Sequence, residues 1–91
     1  MSKYRGVTKN KKKWQAYIWV NNKNMYLGSY INEKIAAKIY DVMAIKNKGT
    51  KAKTNFKYNI EQINEINKID FDINNIYEVV CKNKYLEKII I

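Results

Sequence analysis

The sequence predicts an α+β fold, a three-stranded antiparallel sheet packed on one α-helix and followed by a helical C-terminal extension. Three observations predict it. Trp14 to Tyr30 is a pair of runs rich in aromatic and β-branched residues, separated by the polar Asn21-Asn22-Lys23. That pattern is a β-hairpin, because asparagine tolerates the left-handed backbone angles of tight turns. From Lys34 to Asn47 the residues Ile35, Ala36, Ile39, Tyr40, Val42, Met43 and Ala44 recur at helical spacing, an apolar stripe suited to covering a sheet. Beyond Tyr58, isoleucines recur at near-helical intervals among amides and acids. A length of 91 residues holds one small domain with an appendage, here residues 1–58 and an Ile/Asn-rich extension over residues 59–91.

Taken in order, Tyr4-Arg5-Gly6-Val7 is a short candidate strand, and Lys9-Asn10-Lys11-Lys12-Lys13 is a polar connection into Trp14. Period-two alternation puts Trp14, Ala16, Ile18 and Val20 on one face, and Gln15, Tyr17 and Trp19 on the other. On the next strand Met25 and Leu27 point one way, Asn24 and Tyr26 the other. One face is a plain core face; the other mixes large aromatics with amides. Asn32 is placed to cap the helix N-terminus, with Glu33 in the first turn, where a carboxylate suits the dipole. Ala36, Ala37 and Ala44 are small enough to let the helix lie close on the sheet. Lys46 and Lys48 suit the C-terminal dipole, and Gly49 stops the helix. Thr50 to Phe56 runs back in extended form, with Phe56 plugging the open end of the core. In the extension, Ile60, Ile63, Ile66 and Ile69 define an amphipathic helix and Ile76 to Lys88 a second one. Asp70, Asp72 and Asn74 form a solvated turn between them. The extension reads as a dimerisation or partner-docking element, or as an enlargement of the core.

Composition removes several classes of function. The chain has no histidine and one cysteine, Cys81, so a zinc finger, Ser-His-Asp and Cys-His nucleophiles and histidine-dependent metal nucleases are excluded. No enzymatic activity, metal or cofactor is expected. No apolar run approaches a membrane span, and the first residues lack a signal-peptide pattern. Residues 1–59 hold 14 Lys and Arg against Glu33 and Asp41, a net of +12, whereas residues 60–91 carry a net of −2. AT-rich codons favour Lys, Asn, Ile and Tyr alike, yet the extension shares the Asn/Ile flavour without the positive charge. The field on residues 1–59 is the footprint of a polyanion binder.

The series Tyr4-Arg5-Gly6-Val7, Lys13-Trp14, Ala16, Ile18, Leu27-Gly28, Ala36-Ala37, Ile39, Tyr40-Asp41, Gly49, Ala52 and Asn55-Phe56 resembles the Apetala-two/ethylene-response-factor DNA-binding domain over residues 4–56. The resemblance implies that the sheet, not the helix, lies in the DNA major groove. It places Arg5 and Gly6 near DNA, Tyr40 against a phosphate, and Ser29 where the family usually has a threonine near the backbone. Other positions depart from the best-known plant pattern: Thr8, Trp19 and Asn24 replace arginines, Tyr17 a glutamate and Tyr26 a tryptophan. Arginine reads guanine bidentately, so these departures argue against a GC-rich target. Asn24 can pair with adenine, and Tyr17 or Trp19 can contact thymine methyls, which favours an A·T-rich site. An alternative for Tyr17 and Trp19 is burial beneath the extension. Lys9, Lys11, Lys12 and Lys13 are expected to meet phosphates.

The resulting expectation is sequence-preferring binding of double-stranded DNA by a transcription regulator in the nucleus, with a homodimer or protein partner docked through the extension. Alternatives are a DNA-docking remnant or companion of a homing endonuclease, and a structural RNA-binding component of an organelle ribosome, reached by a transit peptide since removed.

Overall fold

Three antiparallel strands, β1 (Val7–Asn10), β2 (Lys13–Val20) and β3 (Lys23–Tyr30), form a meander with β2 in the centre. They are followed by α1 (Glu33–Lys48), a 3-10 turn (Gly49–Lys51), α2 (Ile60–Lys68) and α3 (Ile76–Lys82). The structure is a computed structural model that describes residues 3–68 and 76–82. The α+β architecture and the helical extension are as the sequence predicts.

Asn21 and Asn22 make the hairpin turn with φ of 52° and 63°. Positive φ at both central positions is the type I′ turn, whose twist matches that of the flanking strands. Lys23, expected in the turn, is instead the first residue of β3, opposite Val20. One irregularity follows: Ala16 faces Gly28 and Tyr17 faces Tyr26, so Leu27 is an extra residue on β3. This bulge lets Leu27 turn into the core at 1% exposure while Tyr26 stays outside.

The first strand differs from its sequence assignment. Tyr4, Arg5 and Gly6 form a turn rather than a strand, because Gly6 sits at φ 78°. A β-carbon there would run into the Tyr40 ring and approach the Tyr17 carbonyl to 2.7 Å, so only glycine fits. Lys9 and Asn10, expected in the connection, belong to β1 and pair with Trp14 and Lys13. Pairing with β2 overrides their polar character at a solvated sheet edge.

Val7, Ala16, Ile18 and Leu27 from the sheet meet Ala36, Ala37, Ile39, Val42 and Ala44 of α1 in the core, with Ile66, Ile76 and Val80 buried in the same cluster. α1 touches all three strands as well as α2 and α3, so it is covered on two sides. Asn32 caps it as expected: its Oδ1 accepts from the Lys34 and Ile35 amides at 2.8 and 3.2 Å. Gly49 ends it, donating its N–H to the Ile45 carbonyl. Thr50 and Lys51 are not extended, since the Ala52 amide bonds back to the Gly49 carbonyl at 3.2 Å and closes the 3-10 turn. Phe56 packs on the core beside Tyr4, ring centroids 5.5 Å apart. α2 opens with a reciprocal capping box: the Asn59 amide donates to Gln62 Oε1 and the Gln62 amide to Asn59 Oδ1, at 2.9 and 2.7 Å. Tyr77 of α3 stacks on Tyr30 at 5.3 Å. Ile69, Asp70, Asp72, Asn74 and residues 83–88 of the expected second helix lie outside the described residues.

Candidate nucleic-acid interface

The outer face of the sheet follows from register and pleat. Asn10 stands opposite Lys13, Thr8 opposite Gln15 with Ser29 beyond it, Tyr17 opposite Tyr26, and Trp19 opposite Asn24. Thr8 and Asn24 are exposed, and Trp19 and Tyr26 are 67% and 47% exposed. That exposure removes the alternative in which Trp19 is buried beneath the extension. Tyr17 is half-buried: its ring lies 5.2 Å from that of Tyr26 at 51°, and its hydroxyl donates to Gln15 Oε1 at 3.2 Å. Glu33 and Asp41, the two acids of residues 1–59, are both on α1, so among the described residues of the sheet no carboxylate interrupts this face.

The expected phosphate contacts divide. Lys11 and Lys12 form the exposed β1–β2 turn, and Lys13 opens β2 next to it. Lys9 instead shares the inward face with Trp14 and holds its ammonium 5.4 Å from that ring. Arg5, Gly6 and Tyr40 gather at the other end of the sheet, where the Gly6 carbonyl accepts the Tyr17 amide at 2.8 Å.

Sequence reasoning left out the groups that hold Arg5 in place. The Asn55 side chain pairs with the Arg5 backbone like a strand neighbour: its Oδ1 accepts the Arg5 N–H at 2.6 Å and its Nδ2 donates to the Arg5 carbonyl at 3.0 Å. Asn55 is fixed in turn by Asp41, fully buried on α1, which accepts from the Asn55 and Phe56 amides at 2.7 and 3.0 Å and from the Tyr58 hydroxyl at 2.9 Å. Burial pushes the Asp41 carboxyl up to about 6, outweighing the hydrogen bonds that favour its charged form. Burial also raises Tyr58, reinforced by the adjacent Asp41. Burial raises Tyr40 too, with Arg5 pulling the other way. Gln15, which the period-two pattern puts on the outer face but which is not among the expected contacts, stands between Thr8 and Ser29. Among the described residues no group of three or more His, Cys, Asp or Glu could hold a metal, and no helix is long and apolar enough to cross a membrane.

A helix-backed sheet presenting a carboxylate-free polar and aromatic face is the class of module that fold and face define. No family model matches the chain. It is 44% identical over 73 residues to the AP2-like ethylene-responsive transcription factor PLT2 of Arabidopsis thaliana, covering 72% of this chain and 13% of that protein. It is 45% identical over 67 residues to the factor ANT of the same plant, covering 66% and 12%. Against CRL5 of Oryza sativa subsp. japonica it is 44% identical over 69 residues, covering 68% and 11%. By this likeness the chain belongs with the AP2-like ethylene-responsive transcription factors, as a homologue of their AP2 domain segment. It spans only a small part of the length of the relatives it matches.

Proposed function

We propose that this domain binds double-stranded DNA by laying its outer sheet face in the major groove, and that it regulates transcription in the nucleus without a chemical step of its own. One observation carries this reading: the face that pairs Thr8 with Gln15, Tyr17 with Tyr26 and Trp19 with Asn24 is solvent-facing and, among the described residues, free of carboxylates. Support comes from the net charge of +10 and from relatives whose names are those of transcription factors. Lys11, Lys12 and Lys13 serve as phosphate contacts that set position, while Arg5, Asn24 and Trp19 read base edges. Asparagine and aromatics in place of arginine favour an A·T-rich site.

Selection from random duplexes tests this directly. Affinity for the selected site falls with salt at a log–log slope of roughly −0.9 for each of about four to seven phosphates. Trp19→Ala, at a 67% exposed position, leaves the fold intact, relaxes preference at one base pair and costs about 1–3 kcal/mol against the best site. Arg5→Ala and Asn24→Ala also change the preferred sequence, whereas Lys12→Ala weakens all sequences alike. A flat salt response refutes polyanion binding. The tilted Tyr17–Tyr26 pair and the open Trp19 ring support a second reading, stacking of unpaired bases in structured RNA. Competition that favours structured RNA over duplex DNA, with sequence preference indifferent to these face variants, selects it. Exposed Ile60 and Tyr77 on the extension support docking of a second copy there; concentration-independent sedimentation as a monomer eliminates that dimer.

A further inference from the structure

Where the hairpin tip overhangs the C-terminal end of α1, the surface sinks into a cleft of about 500 Å3, lined among others by Arg5, Trp19, Tyr40, Lys48, Lys51 and Lys53. The topology creates it. β1 pairs with β2 only from Asn10–Lys13 to Val7–Ala16, and the Gly6 carbonyl takes one more bond, from Tyr17. Ile18 to Val20 at the end of β2 therefore have β3 alone as a strand neighbour. The 3-10 turn after α1 brings Lys51, and the chain just beyond it Lys53, to the wall of this opening.

Lys48, Lys51 and Lys53 are all exposed, and among the described residues no carboxylate lines the cleft. Among the described residues none of these lysines has an acidic partner. With Arg5 they set four positive charges around one concavity, which focuses an attractive potential on any anion that enters. Trp19 and Arg5 belong both to the cleft and to the candidate reading surface, so a strand leaving that surface passes over the opening. We propose that the cleft seats the phosphodiester backbone of the nucleic-acid strand flanking the base pairs beneath the sheet. This inference rests on the duplex-binding reading above and adds to it a phosphate track that none of the sheet residues supplies.

The test compares wild type with the triple variant Lys48→Gln, Lys51→Gln, Lys53→Gln, two proteins expected to melt alike because all three positions are exposed. Binding is measured on the selected duplex with long flanks, and on the same site trimmed at either end. Wild type loses affinity when one flank is removed, and the variant does not. On the long duplex the variant's log–log salt slope is shallower by roughly 2 to 3, at about 0.9 for each phosphate it no longer neutralises. Lys34→Gln, near the opposite end of α1 and about 20 Å away along the helix, removes one charge far from the cleft and keeps the dependence on the flank. Equal slopes in wild type and triple variant, or equal cost of trimming in both, overturn the cleft assignment while leaving the sheet reading in place. Complete absence of duplex binding by wild type removes both.

Discussion

The Asp41 carboxylate accepts three hydrogen bonds from the 55–58 segment, and Asn55 of that segment holds the Arg5 backbone. A buried group on α1 thereby sets the position of a residue of the proposed interface, some distance along the chain. The Asp41 pKa rises from 3.8 to about 6 on folding, so the folded state binds this proton more tightly than the unfolded chain does. Its contribution to stability is complete below about pH 3.8 and is lost as pH rises to about 6, a change of about 3 kcal/mol. Denaturation of wild type across that window should show the decline, and Asp41→Asn, which cannot titrate, should remove this part of it. Asn55→Ala breaks the paired bonds to Arg5. It should cost roughly 1–2 kcal/mol in stability and weaken duplex binding although Arg5 itself remains, as fluorescence titration would report. Neither role was legible in the sequence, because Asp41 reaches residues 14 to 17 positions on and Asn55 one 50 positions back. Period and composition do not record such closures.

At the scale of elements, the strongest periodicities were read correctly. Ile39 lies at the centre of the α1 stripe and is fully buried. Ile39→Ala should cost roughly 2–4 kcal/mol, and Leu27→Ala a similar amount, by chemical denaturation. No loss in either would reverse the assignment of the sheet faces. Assignment failed where local character and pairing disagree. Lys9 and Asn10 look like a hydrated loop, yet the partner strand holds them in β1, while the left-handed Gly6 excludes Tyr4 to Gly6 from it. The outer face was legible because Trp19 and Tyr26 alternate with core residues. The cleft was not: Lys48 read as a helix-end charge, and Lys51 and Lys53 belonged to no recognisable pattern.

For the whole molecule, we propose that the extension seals the side of α1 turned away from the sheet. Ile66, Ile76 and Val80 are at most 1% exposed, and burying each contributes roughly 1.5–3 kcal/mol. Small domains have only about 5–15 kcal/mol in hand. A chain ending at Tyr58 should therefore lose its α1 circular dichroism at markedly lower denaturant than the full chain. An unchanged melt would make residues 59–91 a dispensable appendage.

The clustering of buried residues on α1 divides the molecule into a conservative and an innovative half. A helix enclosed by the sheet on one flank and by α2 and α3 on the other offers few positions that can drift. Thr8, Trp19 and Asn24 project from the opposite side of the sheet and belong to no part of the packed interior. Randomising those three positions together should yield a library in which most members still fold, so that changes of target can accumulate without passing through misfolded ancestors.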